Sequence, residues 1–278
     1  MRLIRRIPVS DSGQAIDVLV RACPELSKGR LKDAMNKGAV QLVQGKQHKR
    51  LRRAQTPLQA GDTLELHYDD DILQRTAPAP LLLAEESGYS VWFKPAGLLS
   101  QGNEWGDHLA LLRQAEQHFN SQRPVFLLHR LDREASGLVL IAHHKAMAAT
   151  LNQLIAQQQV KKSYRITVLG TVAPALLQQG EIDLPLDGKA CCTRFSFSQA
   201  LTAPGRTVLD IDLISGRKHQ IRRHFAAIGH PVMGDPQYGS GNQDPAGLAL
   251  QAIRLAFTLP GKGLRQYELP AALLRTAG

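Results

Sequence analysis

Apolar and polar residues alternate or recur along most of the chain, and their spacing predicts the elements. Ala15, Ile16, Val18, Leu19 and Val20 give the stretch Gln14–Ala22 an apolar helical face, with Asp11-Ser12 ahead of it as the expected cap. Ser27 is placed to cap a second short helix over Lys28–Lys37, and Gly38 ends it. Val40–Val43 and Thr63–Tyr68 read as strands, the second introduced by the Gly61-Asp62 turn. Further along, strands are expected at Tyr89–Phe93, Val125–Leu128, Gly137–Ala142, Ser163–Leu169, Val208–Leu213 and Ala249–Phe257. Helices are expected at His108–Phe119, Lys145–Gln157 and Lys218–Ile228. Strands and helices do not alternate regularly, so the larger part should be an α+β domain around a mainly antiparallel mixed sheet.

Composition divides this pattern into parts. Asp69–Pro80, DDDILQRTAPAP, reads as a stiff, solvated linker between a domain over residues 1–68 and one over 81–278. Residues 1–68 carry 13 basic side chains against 6 acidic, a net +7 of the whole chain's +10. That balance favours a polyanionic partner, with nucleic acid ahead of an anionic membrane surface. No apolar run reaches the ~18 residues of a membrane span, and the N-terminus lacks the ~7–15-residue apolar segment of a secretory signal. The three cysteines, Cys23, Cys191 and Cys192, form neither a disulfide framework nor a zinc knuckle, and a reducing cytoplasm is the simplest compartment.

Within the basic part, the second helix shows Lys28, Arg30, Lys32 and Lys37, and Lys46–Arg53 is the densest basic run in the chain. The order helix, helix, strand, basic loop, Gly-Asp, strand over about residues 12–68 resembles the small RNA-binding domain shared by a small-subunit ribosomal protein and tyrosyl-tRNA synthetases. Ser27-Lys28-Gly29-Arg30 and Leu42-Val43-Gln44-Gly45 depart from that domain's usual Ser-Arg and Val-Asn-Gly. The charge on the helix and loop makes Lys28, Arg30, Lys32, Lys49, Arg50, Arg52 and Arg53 the expected RNA contacts.

Two stretches of the larger part carry candidate chemistry. His129-Arg130-Leu131-Asp132-Arg133-Glu134-Ala135-Ser136-Gly137 hangs between two apolar runs, where charge is costly unless paired. It reads either as a site or as a salt-bridged loop. From Ser215 through the expected helix Lys218–Ile228, Ile221, Phe225 and Ile228 form the expected buried stripe. Lys218 and Arg222 fall four apart on another face, a like-charge pair that an anion between them would relieve.

These stretches resemble the RluA-type RNA pseudouridine synthases. His129–Gly137 is similar to that family's H-R-L-D-x-x-T-S-G signature, with Ala135 at the usual Thr. Ile214–Gly239 is similar to its second long signature, Trp92–Gly97 to its K-P-x-G segment, and Lys161–Tyr164 to its K-x-Y segment. The resemblance implies that Asp132 is the catalytic carboxylate, kept ionised by Arg222. It further implies that Tyr164 is a stacking platform for the flipped uracil, with a part in proton transfer at C5 as a further role open to it, and that Arg130 fills the space the nucleotide leaves or contacts its phosphate. It implies structured RNA as partner, and the appended basic domain leans toward ribosomal RNA ahead of transfer RNA. No metal, nucleotide or flavin motif is present and an isomerisation needs no redox carrier, so no cofactor and no metal are expected, and the chain is expected to be a monomer. The rival reading is a non-catalytic RNA-binding or ribosome-assembly protein on a degenerate synthase fold. A metal-dependent nuclease would need a cluster among Asp183, Asp187, Asp210 and Asp212, which lack a partner motif.

Overall fold

The computed structural model describes residues 1–200, 205–213, 216–239 and 242–275. Ile214 and Ser215 of the second signature lie outside the described residues. The chain divides into two compact units, one of Met1–Ala77 with Gln101–His118, the other of Pro78–Ser100 with Phe119–Gly278.

In the first unit, strands β1 (Arg2–Pro8), β3 (Val40–Gln44), β4 (Gln47–Arg50) and β6 (Thr63–Asp69) form an antiparallel sheet in the order β1-β6-β3-β4. A second small sheet pairs β2 (Gly13–Gln14) with β5 (Pro57–Leu58). Helix α1 (Ala15–Ala22) buries Ala15, Ile16, Val18 and Leu19, and α2 (Lys28–Asn36) buries Leu31, Ala34 and Met35. These meet Leu64 and Leu66 of β6 in one aliphatic core. Ser27 caps α2 by accepting from the Arg30 N–H at 3.3 Å. The expected Asp11-Ser12 cap does not form. Gly13-Gln14 is drawn into β2, so Gln14 becomes the N-cap with no side-chain bond, while Asp11 accepts from Ser10.

The acidic triplet is also not a solvated linker. Asp69 ends β6, and its carboxylate caps helix α3 (Asp70–Gln74) through the Ile72 N–H at 3.1 Å. Within the stretch 69–80, residues 75–80 are the part without regular structure. Helix α4 (Leu111–His118), which begins three residues later than expected, packs with this unit.

The second unit is built on one large sheet. Its strands are β7 (Leu81–Glu85), β8 (Tyr89–Lys94), β9 (Phe126–Leu127), β10 (Ser136–Ala142), β11 (Lys161–Leu169), β12 (Glu181–Asp183), β13 (Cys192–Ala200), β14 (Arg206–Leu213), β15 (Leu250–Leu259) and β16 (Gly263–Glu268). The path runs β12-β13-β14-β11-β15-β10-β8-β7, with β16 on β15 and β9 on β10. All pairings among the described residues are antiparallel except β10 with β15. The sheet is thus mixed and mainly antiparallel, as the irregular strand spacing predicts. β8 and β10 are covered on both faces, which is why they read as nearly continuous apolar runs. Helix α5 (Lys145–Ala156) packs Ala148, Leu151 and Leu154 against Leu138, Leu140 and Leu255. Helices α6 (Pro174–Gln179) and α7 (Gln220–Ala227) complete the unit.

Gly137 sits at the β10–β15 junction with φ +119, and a Cβ there would collide with the Ala252 backbone. Only glycine permits the two strands to approach where β10 leaves the signature loop.

Candidate active site

Asp132 lies in the loop that joins β9 to β10, and the peptides on both sides of it are pinned. Ser100, which is buried, donates its hydroxyl to the Leu131 carbonyl at 2.7 Å and accepts from the Leu131 N–H at 3.0 Å. On the other side, the Gly97 N–H and the Lys94 ammonium donate to the Arg133 carbonyl at 2.7 and 3.3 Å. Lys94 is fully buried and also donates to the carbonyls of Pro95 and Leu98. Burial pushes its ammonium down to about 7, against the pull of Asp132 and Glu134. The K-P-x-G segment thus supports the backbone of the signature loop.

Helix α7 supplies the counter-charge. Ile221 and Phe225 point into the core, as their spacing predicts. Arg222 is only 2% exposed, yet it is fully engaged. Its Nη1 donates to Asp132 Oδ2 at 3.0 Å, and its Nε and Nη2 form a two-pronged pair with Asp235, both at 2.8 Å. The expected like-charge conflict between Lys218 and Arg222 does not arise. α7 begins only at Gln220, so Lys218 is an exposed loop residue while Arg222 turns inward. Burial alone would lower Arg222, but its hydrogen bonds and charge contacts with Asp235 and Asp132 outweigh that and raise it. The backbone N–H groups of Gln237 and Tyr238 donate to Asp235, so this buried carboxylate has a full set of partners.

Tyr164 is buried on β11, between Ile211 of β14 and Ala252 of β15, beside a register shift. Burial raises its phenol, and the Asp132 charge raises it further, so the two side chains sense each other and the phenol stays protonated at neutral pH. Arg130 is exposed on the same loop as Asp132. The residues brought together are therefore Asp132, Arg222 and Tyr164. Asp235, Ser100, His219 and Tyr238 join them, although sequence reasoning does not single them out. His219 and Tyr238 stand beside the pair, with Tyr238 under the Arg222 guanidinium at 5.1 Å. Asp235 and Tyr238 are visible as part of the second signature, but nothing local marks a Gly-Asp turn as the partner of a helix arginine thirteen residues earlier.

The basic residues of the first unit divide into two sets. Lys28, Arg30, Lys32, Lys49 and Arg53 are exposed. Lys28 makes a 3.6 Å pair with Asp17, exposed on both sides and worth little. Arg50 and Arg52 instead turn back onto Asp107 and onto backbone carbonyls, Arg50 to Gly38 and Asn103, Arg52 to Asn36. They hold the segment 101–118 to the unit. Of the acids weighed as metal ligands, Asp187 pairs with Arg223, Asp210 with Arg165, and Asp212 accepts from Ser163.

Residues 88–227 match the family described as RNA pseudouridylate synthase. The chain is 33% identical over 241 residues to a ribosomal large subunit pseudouridine synthase D from Nitrosomonas europaea, covering 74% of this chain and 68% of that one. It is 32% identical over 219 residues to a tRNA pseudouridine synthase C from Haemophilus ducreyi, covering 65% and 85%. The fold is shared with human RNA pseudouridylate synthase domain containing 1, at a TM-score of 0.58 and 21% identity over 72% of this chain and 88% of that one. With its α+β sheet, its signature loop and a family match across half its length, the chain belongs to the RluA-type RNA pseudouridine synthases and is an isomerase acting on RNA.

Proposed function

We propose that Asp132 is the carboxylate that acts at the sugar–base junction of a uridine, that Tyr164 carries the detached uracil, and that Arg222 holds the charge of Asp132 in place. The observation that carries this is the asymmetry of the ion pairs around Arg222. Asp235 alone satisfies two donors of the guanidinium and is wholly buried, whereas Asp132 keeps 24% of its side chain exposed, with Arg222 on Oδ2 only. A purely structural pair needs no second, solvent-facing acid. During isomerisation the C1′–N1 bond breaks and C1′–C5 forms. C5 loses a proton and N1 gains one, so no redox partner is needed. The protonated phenol of Tyr164 offers a flat neutral face on which the uracil can turn while detached. Arg130, exposed on the same loop as Asp132, is available to fill the space the flipped nucleotide leaves or to contact its phosphate.

Asp132→Asn tests this in single-turnover assays on the cognate RNA. The amide is nearly isosteric, so RNA binding and melting temperature should be retained and product formation lost. Near-normal product would remove Asp132 from the mechanism.

We further infer that the exposed basic face of the first unit binds structured RNA, and that the target is large-subunit ribosomal RNA. The net +7 of residues 1–68 and the similarity to large-subunit ribosomal synthases support this. A transfer RNA target is the second reading, favoured by the Haemophilus ducreyi relative. Mapping pseudouridines in total RNA with and without the gene separates them. A site lost from large ribosomal RNA supports the first, and one lost only from transfer RNA supports the second.

A further inference from the structure

The ordinary rules of helix capping do not account for His219. An N-cap is normally an extended Ser, Thr, Asp or Asn whose side chain accepts from the first turn. His219 precedes α7 in the left-handed region, at φ 53 and ψ 29, and its side chain makes no capping bond. Such a conformation is strained for a residue with a Cβ. The imidazole is directed elsewhere. Its Nδ1 lies 2.9 Å from the Tyr238 hydroxyl and its Nε2 3.6 Å from Asp132 Oδ1. The His219 and Tyr238 rings meet edge to face at 5.6 Å. Since Arg222 takes Oδ2, each oxygen of Asp132 faces a different partner.

Resting on the reading of Asp132 as the reacting carboxylate, we propose that His219 is a positioning residue that presents its Nε2–H to Asp132 Oδ1 and is itself oriented by the Tyr238 hydroxyl donating to Nδ1. The other tautomer would set a lone pair against the carboxylate, so the charge of Asp132 selects the useful one. The present 3.6 Å separation is longer than a made hydrogen bond, and such contacts commonly tighten when substrate binds. The charged groups around the ring are Asp132 from the signature loop, Arg222 from α7, Lys218 from the turn before it and Asp235 from the loop after it. Burial lowers the imidazole most. Asp132 raises it, Arg222 and Lys218 lower it, and Asp235 raises it, with a net lowering. The ring is therefore neutral at pH 7. Protonation in acid would occupy Nδ1 and end its acceptance from Tyr238.

The test compares wild type, His219→Gly, His219→Gln, Tyr238→Phe and Asp132→Asn, reading single-turnover rate at saturating RNA, RNA Kd and melting temperature. Glycine removes the side chain while suiting the left-handed backbone, so the fold should be kept. The expected result for His219→Gly is a rate about 10- to 100-fold lower at unchanged Kd, the scale of a misaimed reacting group. Glutamine, with one donor and one acceptor, should restore most of the rate and remove the part of the acid limb due to His219 below about pH 6.5. Tyr238→Phe should lower the rate in wild type and have less effect beside His219→Gln. A wild-type rate and pH profile for His219→Gly, with Asp132→Asn inactive, overturns the inference and leaves the reading of Asp132 standing. A loss confined to Kd, or no rescue by glutamine, also overturns it. An active Asp132→Asn overturns both.

Discussion

At the residue scale, Arg222 holds two acids in different states of exposure. Removing Asp235, its fully buried partner, should cost more stability than removing Asp132. Asp235→Asn should lower unfolding free energy by about 3–5 kcal/mol at pH 7, as expected for breaking a buried pair from one side. Burial opposes ionisation of Asp235, but Arg222 and the two backbone N–H groups prevail and hold its carboxyl below the usual range. A carboxyl lowered in the folded state contributes stability above its unfolded value of about 3.9, and this is lost as pH falls toward the folded value. The gap between wild type and Asp235→Asn should therefore narrow below about pH 4 in urea titrations. An equal gap at pH 7 and pH 3 would show that the charge contributes nothing. Ser100→Ala tests the support beneath Asp132. It leaves the Leu131 N–H without its partner, which should cost about 1–3 kcal/mol and slow the reaction at unchanged RNA affinity. Asp132, Tyr164 and Arg222 are legible in the sequence because they stand in motifs. Ser100 and Asp235 are not, because their roles exist only once distant backbone is brought alongside.

Periodicity locates most elements, and the missed strands β1, β13 and β16 share a cause, polar residues that break the apolar pattern. β1 is not expected because Arg2, Arg5 and Arg6 break its apolar pattern, although Ile7 is buried as β1 pairs with β6. β13 and β16 carry so many polar residues that they resemble loops. α7 is shorter than its apolar spacing suggests because His219 leaves the helical region. Gly137 carries the element-scale prediction. Gly137→Ala should separate β10 from β15 or strain both, giving a loss above about 3 kcal/mol or insoluble protein. Gly13→Ala, at an extended position with open space, should stay within about 0.5 kcal/mol. Thermal melts of the pair decide it, and similar melts for both would refute the role of close approach at Gly137.

At the scale of the whole molecule, the chain passes between its units after Ala77, after Ser100 and after His118. Deleting residues 1–75 would therefore strip segment 101–118 of its packing, so point neutralisation is the cleaner probe of RNA binding. Changing Lys28, Arg30, Lys32, Lys49 and Arg53 to Gln should weaken RNA affinity and flatten its dependence on log salt by about 0.7–0.9 for each phosphate no longer neutralised. Chemistry at saturating RNA should survive. Changing Arg50 and Arg52 instead should lower the stability of the first unit, because both hold Asp107. An unchanged salt slope in the fivefold variant would reassign that face to solubility or to a protein partner.

Legible in the sequence were the basic character of the N-terminal part, the mainly antiparallel class of the larger sheet and the candidacy of Asp132, Tyr164 and Arg222 as site residues. Each of these is written in local spacing, charge count or a contiguous motif. Only the folded chain shows that residues 101–118 pack with the N-terminal unit and that Arg50 and Arg52 pair with Asp107. It also shows that Lys218 is not on α7, and that Arg222 divides its donors between an exposed acid and a buried one. The physical reason is the same in each case. An ion pair or a buried hydrogen bond depends on which surfaces are excluded from water together, and residues far apart in the chain meet those conditions only after the core has closed.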